Sequence, residues 1–464
     1  MIMNEGTKYD VVIVGAGLTG LTAGFYLSKS GKKVLLFETA DRPGGVINSV
    51  REDGFLYETG PNTGVLSSVE LVKLFDDLGD RCNLESANPV ANSRWIWKGG
   101  RWHALPGGLK QAVTTPLFTW GDKFRILAEP FRRRGHDPLE SVASLVRRRM
   151  GRSYLDYAVD PFISGIYAGN PEHLVTKYAL PKLHNLEMQY GSFIRGGIAK
   201  SMSKKSPDET RVTRAVFSAK GGLSSLTDSM AEAIGTERII TSCSDVVVNR
   251  HGNTFVTTFT RGGRSHSLDS DSLITTCGSH CLSELLKFAG ADELKDILTL
   301  QYARVVQVIL GYRQWRGIPL EGFGGLVPSR EGRDILGVLF TSSFLKNRAP
   351  EGGALLSVFL GGMRRSDIAD MTDNEITDIA LRETKTMLRS GNAAPDLLKV
   401  FRYNHAIPQY GRDSGARLEA IDQLENRYPG LVLAGNIRDG IGMADRVKQG
   451  VNLAQGEGHR AQDF

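Results

Sequence analysis

An apolar run, Val11 to Val14, breaks into glycine at Gly15, and a second, Val34 to Phe37, follows the helically spaced stretch "LTGLTAGFYLSK". Apolar runs of this length bounded by turn residues suit strands buried on both faces, so residues 9–38 predict a βαβ unit. From about Leu105 to Lys200 apolar residues recur at three and four positions, as in "KFRILAEPF" and "PLESVASLVRRRM", which predicts an inserted helical region. Polar residues dominate "SMSKKSPDETRVTR", residues 201–214, read as a mobile surface loop that closes the insert. Strand patterns return in "RIITSCSDVVVNRHGNTFVTTFT", "SLITTCGSH", "YARVVQVILGY", "ILGVLFTSS" and "GALLSVFLGG", enough for a sheet in each of two domains. The C-terminal "LVLAGNIRDGIGMADRVKQG" reads as a strand, Gly-Asn and a glycine-opened helix, so the first domain is expected to be assembled from discontinuous segments.

At 464 residues the chain exceeds the size at which one core stops growing, and two or three domains are expected. Four cysteines (Cys82, Cys243, Cys277, Cys281) make no disulfide framework, and Cys277 and Cys281 have no ligand-type neighbours, so no metal site is expected and a reducing cytosol is. No secretory signal pattern opens the chain, and no apolar stretch reaches the ~18 residues of a spanning helix, so membrane contact would be peripheral. The net charge of +6 favours anionic partners such as acidic lipid or a carboxylated substrate; no nucleic-acid module accompanies it. Its basic runs, "FRRRGHD" and "VRRRMGR", fit either a solvated helix face or such a contact surface.

Gly15, Gly17 and Gly20 follow a strand and open a helix at GxGxxG spacing. The first glycine permits the turn, the second admits a pyrophosphate to backbone N–H groups, and the third lets helix and strand close up. Glu38, at the end of the next strand and 18 residues beyond Gly20, can accept hydrogen bonds from a ribose diol. These features together define a dinucleotide site. After Glu38 comes "TADRPGG", in which Arg42, Gly44 and Gly45 complete an E-x-x-x-R-x-G-G pattern. The pattern resembles the flavin-binding signature of the amine oxidase and carotenoid desaturase superfamily. That resemblance favours FAD over NAD and implies a glutathione-reductase-like FAD domain.

"YETGPNTG", "NSRWIWKGGRWHALPGGL", "DPFISGIYAGNPEHL", "FSAKGGLSSL", "LEGFGGLVPS", "IPQY" and the closing "AGNIRDGIGMADRV" run in order along nearly the whole chain and resemble the protoporphyrinogen oxidase family. The resemblance implies an α/β and α+β fold: the FAD domain (1–85, 215–278 and 400–464), a mixed-sheet substrate domain (86–108 and 279–399) and a helical membrane-binding domain (109–214). It implies oxidation of a porphyrinogen by six electrons, with oxygen returning the flavin to its oxidised form. A cytoplasmic protein on the cytoplasmic membrane face, attached to an anionic surface, is the expected setting, and a homodimer is compatible with it.

The residues carried over follow the matched motifs. FAD is expected at Gly15, Gly17, Leu18, Thr19, Gly20, Glu38, Thr39, Arg42, Gly44, Gly45, Gly60, Pro61, Asn62, Val246, Gly435, Asn436, Gly442 and Met443. Asn436 stands where related flavoproteins carry an acid, and the helix after it would present its positive end to the reduced flavin. Arg94 matches the arginine that holds a substrate propionate, as a guanidinium can in a bidentate fork. Leu326, Phe359 and Val305 match apolar positions around the macrocycle, and Asn62 an asparagine beside the flavin. Asn62 and Arg94 form the catalytic expectation. His103 and His405 are loose candidates, and a lone histidine is more often structural. Relatives acting on coproporphyrinogen III handle four propionates rather than two, and Arg101, Arg195 and Arg304 are further arginines able to reach a cavity. A flavin amine oxidase is the other enzyme reading.

Overall fold

The two N-terminal apolar runs pair in parallel, Val11 beside Val34 through Val14 beside Phe37. A computed structural model, which describes residues 8–202 and 206–456, extends this pair into a seven-stranded sheet. Its order is Ile239–Ile240, Val34–Phe37, Lys8–Val14, Arg264–Thr275, Thr254–Arg261 and Ser244–His251, with Leu431–Leu433 also on Arg264–Thr275. The strand Arg264–Thr275 serves twice: its first half closes an antiparallel ribbon with Thr254–Arg261, and its second half runs parallel between Lys8–Val14 and Leu431–Leu433. The parallel strands therefore end together at Phe37, Val14, Thr275 and Leu433, the edge at which open α/β sheets bind ligands. The helices Leu18–Lys29, Ser224–Ile234 and Met443–Ala454 bury one face of this sheet in an aliphatic core.

A second seven-stranded sheet has the order Leu397–Pro408, Tyr302–Tyr312, Ala354–Gly361, Ile335–Leu339, Gly324–Leu326, Arg94–Lys98 and Arg101–Ala104, antiparallel except where Gly324–Leu326 meets Arg94–Lys98. The helix Asp373–Leu388, with Thr372 and Glu375 in a capping box, covers one face through Ile376, Ile379, Ala380 and Leu388. The opposite face meets Phe55 and Tyr57 of the cofactor side at Ile309 and Leu355, and Leu117 and Phe118 of the helical region at Ile96.

Helices fill the region after Leu105: Trp120–Leu127, Val142–Arg149, Asp160–Tyr167, Pro181–Tyr190 and Phe193–Met202. Its centre is ionic. Arg149 is fully buried, with guanidinium nitrogens 2.9 Å from Glu129 and 3.0 Å from Glu187, and it also donates to the Gly191 carbonyl. Arg148 pairs with Glu140 and Glu187, and Arg147 with Glu172. The run "VRRRMGR" is thus divided: Arg149 and Arg148 answer the Glu129, Glu140 and Glu187 carboxylates, whose burial requires a cation, whereas Arg147 and Arg152 are exposed.

Three sequence boundaries move. The segment 201–214 is not all loop, since the helix Phe193–Met202 reaches into it and Pro207–Thr210 forms a turn of helix capped by Ser206; residues 203–205 lie outside the described residues, as do 1–7 and 457–464. The division at 399/400 falls inside Leu397–Pro408, a strand of the second sheet. The division at 278/279 also shifts, because Leu282, Leu285, Leu286, Leu294, Ile297 and Leu300 pack into the core under the dinucleotide sheet.

Candidate active site

Gly15, Gly17 and Gly20 divide their tasks as the motif requires. Gly15 has φ +104°, and a Cβ there would lie 2.5 Å from the Thr276 hydroxyl; a Cβ on Gly20 would lie 2.0 Å from the Gly15 carbonyl oxygen. A Cβ on Gly17 would meet nothing within 4 Å. The space left open is in front of the N-terminus of Leu18–Lys29, which has neither a side-chain cap nor an acidic residue in its first turn. That cradle fits the pyrophosphate of a dinucleotide, held by backbone N–H groups and the helix dipole. Gly45 closes it from the other side, where its Cβ would come 3.2 Å from Gly17 Cα, and the Gly44 N–H donates to the Ala16 carbonyl at 2.8 Å.

Glu38 accepts from the Ala16 and Ala40 N–H groups, both at 3.0 Å, which fixes its carboxylate beside the loop. Thr39 is exposed next to it. Val246 lies at the bulged start of Ser244–His251, tied to this corner because Ser242 and Cys243 donate to the Ala40 and Glu38 carbonyls. Leu18 and Thr19 are buried, and the Thr19 hydroxyl donates to the Arg446 carbonyl at 3.3 Å, joining the first and last helices. The Arg42 guanidinium donates to the Pro43, Gly45 and Ile47 carbonyls. Its hydrogen bonds therefore brace the Gly44–Gly45 loop.

The C-terminal glycine turn does reach the N-terminal one. Gly435 has φ +81°, its Cβ would sit 2.5 Å from the Thr276 carbonyl oxygen, and its N–H donates to Gln449 Oε1 at 2.9 Å. Thr276, whose hydroxyl donates to the Gly15 carbonyl at 2.9 Å, is the hinge between the two loops. The Asn436 carbonyl accepts from the Tyr410 hydroxyl at 2.8 Å, and that hydroxyl also reaches the Gly440 carbonyl at 3.0 Å. Gly442 caps the last helix, with its N–H on Asp445, and Met443 points toward Gly64, whose Cβ would be 3.2 Å from its sulfur. Beneath this turn, burial pushes the Glu425 carboxyl up to about 7, although Arg438 pulls the other way.

Gly60 and Pro61 lead into Asn62, which is buried; a Cβ on Gly60 would lie 2.0 Å from the Val46 carbonyl. The Asn62 amide donates to the Gly60 carbonyl at 3.1 Å and accepts from the Ser357 hydroxyl at 2.8 Å. Ser357 belongs to the second sheet, so Asn62 bridges the two halves. On that sheet Leu326 pairs with Gly337, Gly337 with Phe359 and Phe359 with Gln307, which puts their side-chain positions on one face. Val305 lies two residues before Gln307, and Arg94 pairs with Gly324, two before Leu326, so both share that face. Arg94 is exposed with its guanidinium 5.6 Å from the Phe323 ring centroid, and no ion pair forms there among the described residues.

Of the other named groups, Arg304, His103 and His405 have partners elsewhere. Arg304 is bound bidentately by Asp370 at 2.6 and 2.7 Å. Arg101 and Arg195 are exposed. His103 Nε2 contacts the Lys98 carbonyl, and burial lowers its pKa; His405 stacks on His280 at 3.8 Å. Sequence reasoning missed Thr276, Ser357, Tyr410 and Gln307. Gln307 is fully buried, donates to the Glu58 carbonyl at 2.9 Å, and leaves its Oε1 without a partner among the described residues. Tyr410 closes the quoted "IPQY", whereas a threonine after a strand carries no local signal.

A glycine-loop cradle at the ends of parallel strands, joined by a buried asparagine to an apolar sheet face with an unpaired arginine, defines a two-part flavoprotein oxidoreductase. The chain belongs to the flavin-containing amine oxidoreductase family, whose model matches residues 18–455, and within it to the protoporphyrinogen oxidases. It is 30% identical over 474 residues to mitochondrial protoporphyrinogen oxidase of Nicotiana tabacum, covering 96% of this chain and 94% of that one. Protoporphyrinogen oxidase of Homo sapiens is 28% identical (96% and 97% covered), and coproporphyrinogen III oxidase of Bacillus subtilis is 26% identical (97% of each). The fold matches a crystal structure from Exiguobacterium sp. 255-15, of a protein assigned as a protoporphyrinogen oxidase, with a TM-score of 0.80 at 22% identity, covering 97% and 99%. FAD is the cofactor of this family, and the Gly17 cradle fits it.

Proposed function

We propose that the chain oxidises protoporphyrinogen IX to protoporphyrin IX, removing six electrons with dioxygen as terminal acceptor. The observation that carries the reading is an unpaired Arg94 on the sheet face that also holds Leu326, Phe359 and Val305, with Asn62 fixed by Ser357 at its cofactor end. Bound FAD supplies the two-electron acceptor chemistry. Arg94 receives a propionate in a bidentate fork, and stacking on Phe323 holds its guanidinium in place. Leu326, Phe359 and Val305 lie against the macrocycle and keep water from it. Asn62, its amide oriented at both ends, holds the ring to the cofactor side. With Arg304 taken up by Asp370, Arg94 stands as the principal propionate cation, which favours two propionates over four. Under this reading the segments around the parallel sheet form the FAD domain and those of the mixed sheet the substrate domain.

Purified FAD-loaded protein should lose its flavin absorbance when mixed anaerobically with protoporphyrinogen IX, and should turn it over faster than coproporphyrinogen III. No bleaching would overturn the oxidase reading, and a preference for coproporphyrinogen III the choice of substrate. Arg94→Ala is expected to raise KM about tenfold or more, the loss of a charge-assisted pair of about 1.5–3 kcal/mol, with a smaller change in kcat.

The helical region is proposed to dock on an anionic membrane surface from the cytoplasmic side. Trp120, Phe124 and Leu127 on the helix Trp120–Leu127, and Phe131 on the turn that follows it, are 63–83% exposed, beside Lys123, Arg125 and Arg132 to Arg134. Among the described residues no helix is long and apolar enough to cross a membrane. Replacing Trp120, Phe124 and Leu127 by serine should weaken binding to phosphatidylglycerol vesicles by roughly 100-fold, about 1 kcal/mol per side chain. Unchanged flotation would remove this face from membrane binding. A homodimer remains a further proposal, checked by light scattering.

A further inference from the structure

The N-terminal glycine loop is fixed by what its own backbone touches, Gly15 against Thr276 and Gly20 against Gly15. The C-terminal turn, residues 435–440, is held by side chains instead. It contains two left-handed residues, Gly435 at φ +81° and Asp439 at φ +64°, and its helical stretch is the single turn Gly435–Ile437. A backbone this irregular has to find its hydrogen-bond partners outside itself. The Tyr410 hydroxyl takes up its carbonyls at Asn436 and Gly440.

The other side of the turn belongs to the last helix, Met443–Ala454, and to one amide on it. Gln449 is buried; its Oε1 accepts from the Gly435 N–H at 2.9 Å and from Arg446 Nη1 at 3.0 Å, and its Nε2 donates to Asp439 at 2.7 Å. Arg446, three residues earlier and also buried, donates through Nη2 to the Arg438 carbonyl at 2.9 Å. Three points of the turn, at Gly435, Arg438 and Asp439, are thus tied to two side chains.

Those side chains stand where the last helix is locked to the first. Gly450 passes so close to Leu18–Lys29 that a Cβ there would lie 2.6 Å from Thr22 Cβ and 2.8 Å from the Thr19 carbonyl oxygen. The Arg446 carbonyl accepts from the Thr19 hydroxyl, and Thr19 lies in the first turn of the helix behind the Gly17 cradle. Gln449 therefore refers the C-terminal turn to the N-terminal loop across a rigid pair of helices. FAD is long enough to need both ends of that ruler, whereas ADP needs the first alone.

We propose that Gln449, braced by Arg446, is the positioning residue for the redox end of the FAD site: it holds the 435–440 turn at a fixed distance from the Gly17 loop, so that a flavin is received without rearrangement. Donors fixed in advance cost no reorganisation when charge arrives, and reduced flavin carries more negative charge than oxidised flavin. Loosening the turn therefore costs the reduced form more. Gln449 acts on the cofactor alone, so its role is independent of which porphyrinogen is oxidised.

The test titrates the FAD-free protein with ADP and with FAD, and measures the midpoint potential of the FAD-loaded protein anaerobically against a reference dye. Gln449→Leu keeps the bulk and removes both acceptor and donor; it should bind ADP as wild type does and FAD about tenfold more weakly. Reduced flavin should lose about a further tenfold, which reads as a fall of about 30 mV in the two-electron midpoint potential. Arg446→Met keeps the bond from Gly435 to Gln449 and should weaken FAD roughly threefold with ADP unchanged, and it decides the matter if Gln449→Leu does not fold. Equal weakening of ADP and FAD at an unchanged potential would make Gln449 a packing residue, and wild-type FAD affinity and potential in both variants would overturn the clamp. Wild-type protein that binds ADP but not FAD would overturn the flavin assignment and the clamp with it.

Discussion

Gly17→Ala is expected to leave the free protein as stable as wild type and to lower its FAD affinity about 100-fold, whereas Gly20→Ala should lose both stability and cofactor. The contrast follows from what a methyl group meets. At Gly17 the backbone is extended (φ −76°, ψ −176°), open to any L residue, and the Cβ projects into the unfilled cradle. Alanine in place of glycine at an N-cap changes helix stability by only a few tenths of a kcal/mol. The same methyl holds a phosphate beyond hydrogen-bonding distance of the loop N–H groups. Losing one or two hydrogen bonds to a charged group, at about 1.5–3 kcal/mol each, accounts for a factor near 100. At Gly20 the Cβ would sit 2.0 Å from a backbone carbonyl that Thr276 already holds, so the helix has to move off the strand. Overpacking of this kind costs about 1–3 kcal/mol or more. Thermal melts of the FAD-free variants with titrations of FAD separate the cases, and a Gly17→Ala protein that binds FAD like wild type would refute the cradle.

The glycine loops were legible in the sequence because their requirement is local: a turn, a close approach and a helix start within six residues. The joining of the two loops through Thr276 was not, since it depends on a strand some 260 residues from the first loop arriving between Val14 and Leu433. Arginines misled for a related reason. "VRRRMGR" reads as charge, and only tertiary structure shows that Glu129 and Glu187 are buried beside Arg149 and need it. Leu326, Phe359 and Val305 have the pattern of any core strand, so the resemblance to a family singled them out, and the register then put them on one face with Arg94. The expected division at 399/400 cuts the strand Leu397–Pro408, which pairs along its length with Tyr302–Tyr312, a pairing across almost a hundred residues that no local pattern announces.

The other large effect is expected at Arg348, where removal of one buried cation should unsettle the junction between the two halves. Arg348 and Glu58 are 1% and 2% exposed and 2.9 Å apart; Glu58 also accepts from the Leu223 N–H and the Ser49 hydroxyl, and its carbonyl from Gln307. Burial already raises the Glu58 carboxyl above its ordinary value, with Arg348 the largest influence holding it down. In Arg348→Met that influence is gone, and breaking a buried pair costs about 3–5 kcal/mol. The sign of the pH dependence follows. A carboxyl whose folded-state pKa is raised binds its proton better folded than unfolded, so its penalty is absent below the unfolded value near 4.3 and grows as pH rises toward the folded one. The urea midpoint of Arg348→Met should therefore lie further below wild type at pH 8 than at pH 5. Glu58→Gln added to Arg348→Met removes the stranded charge while keeping an amide oxygen that can accept from the Leu223 N–H and an amide N–H that can donate to the Ser49 hydroxyl oxygen, and it should recover most of the loss and flatten the slope. A double variant as unstable as the single one, with an unchanged pH slope, would mean that Arg348 acts through its packing rather than its charge.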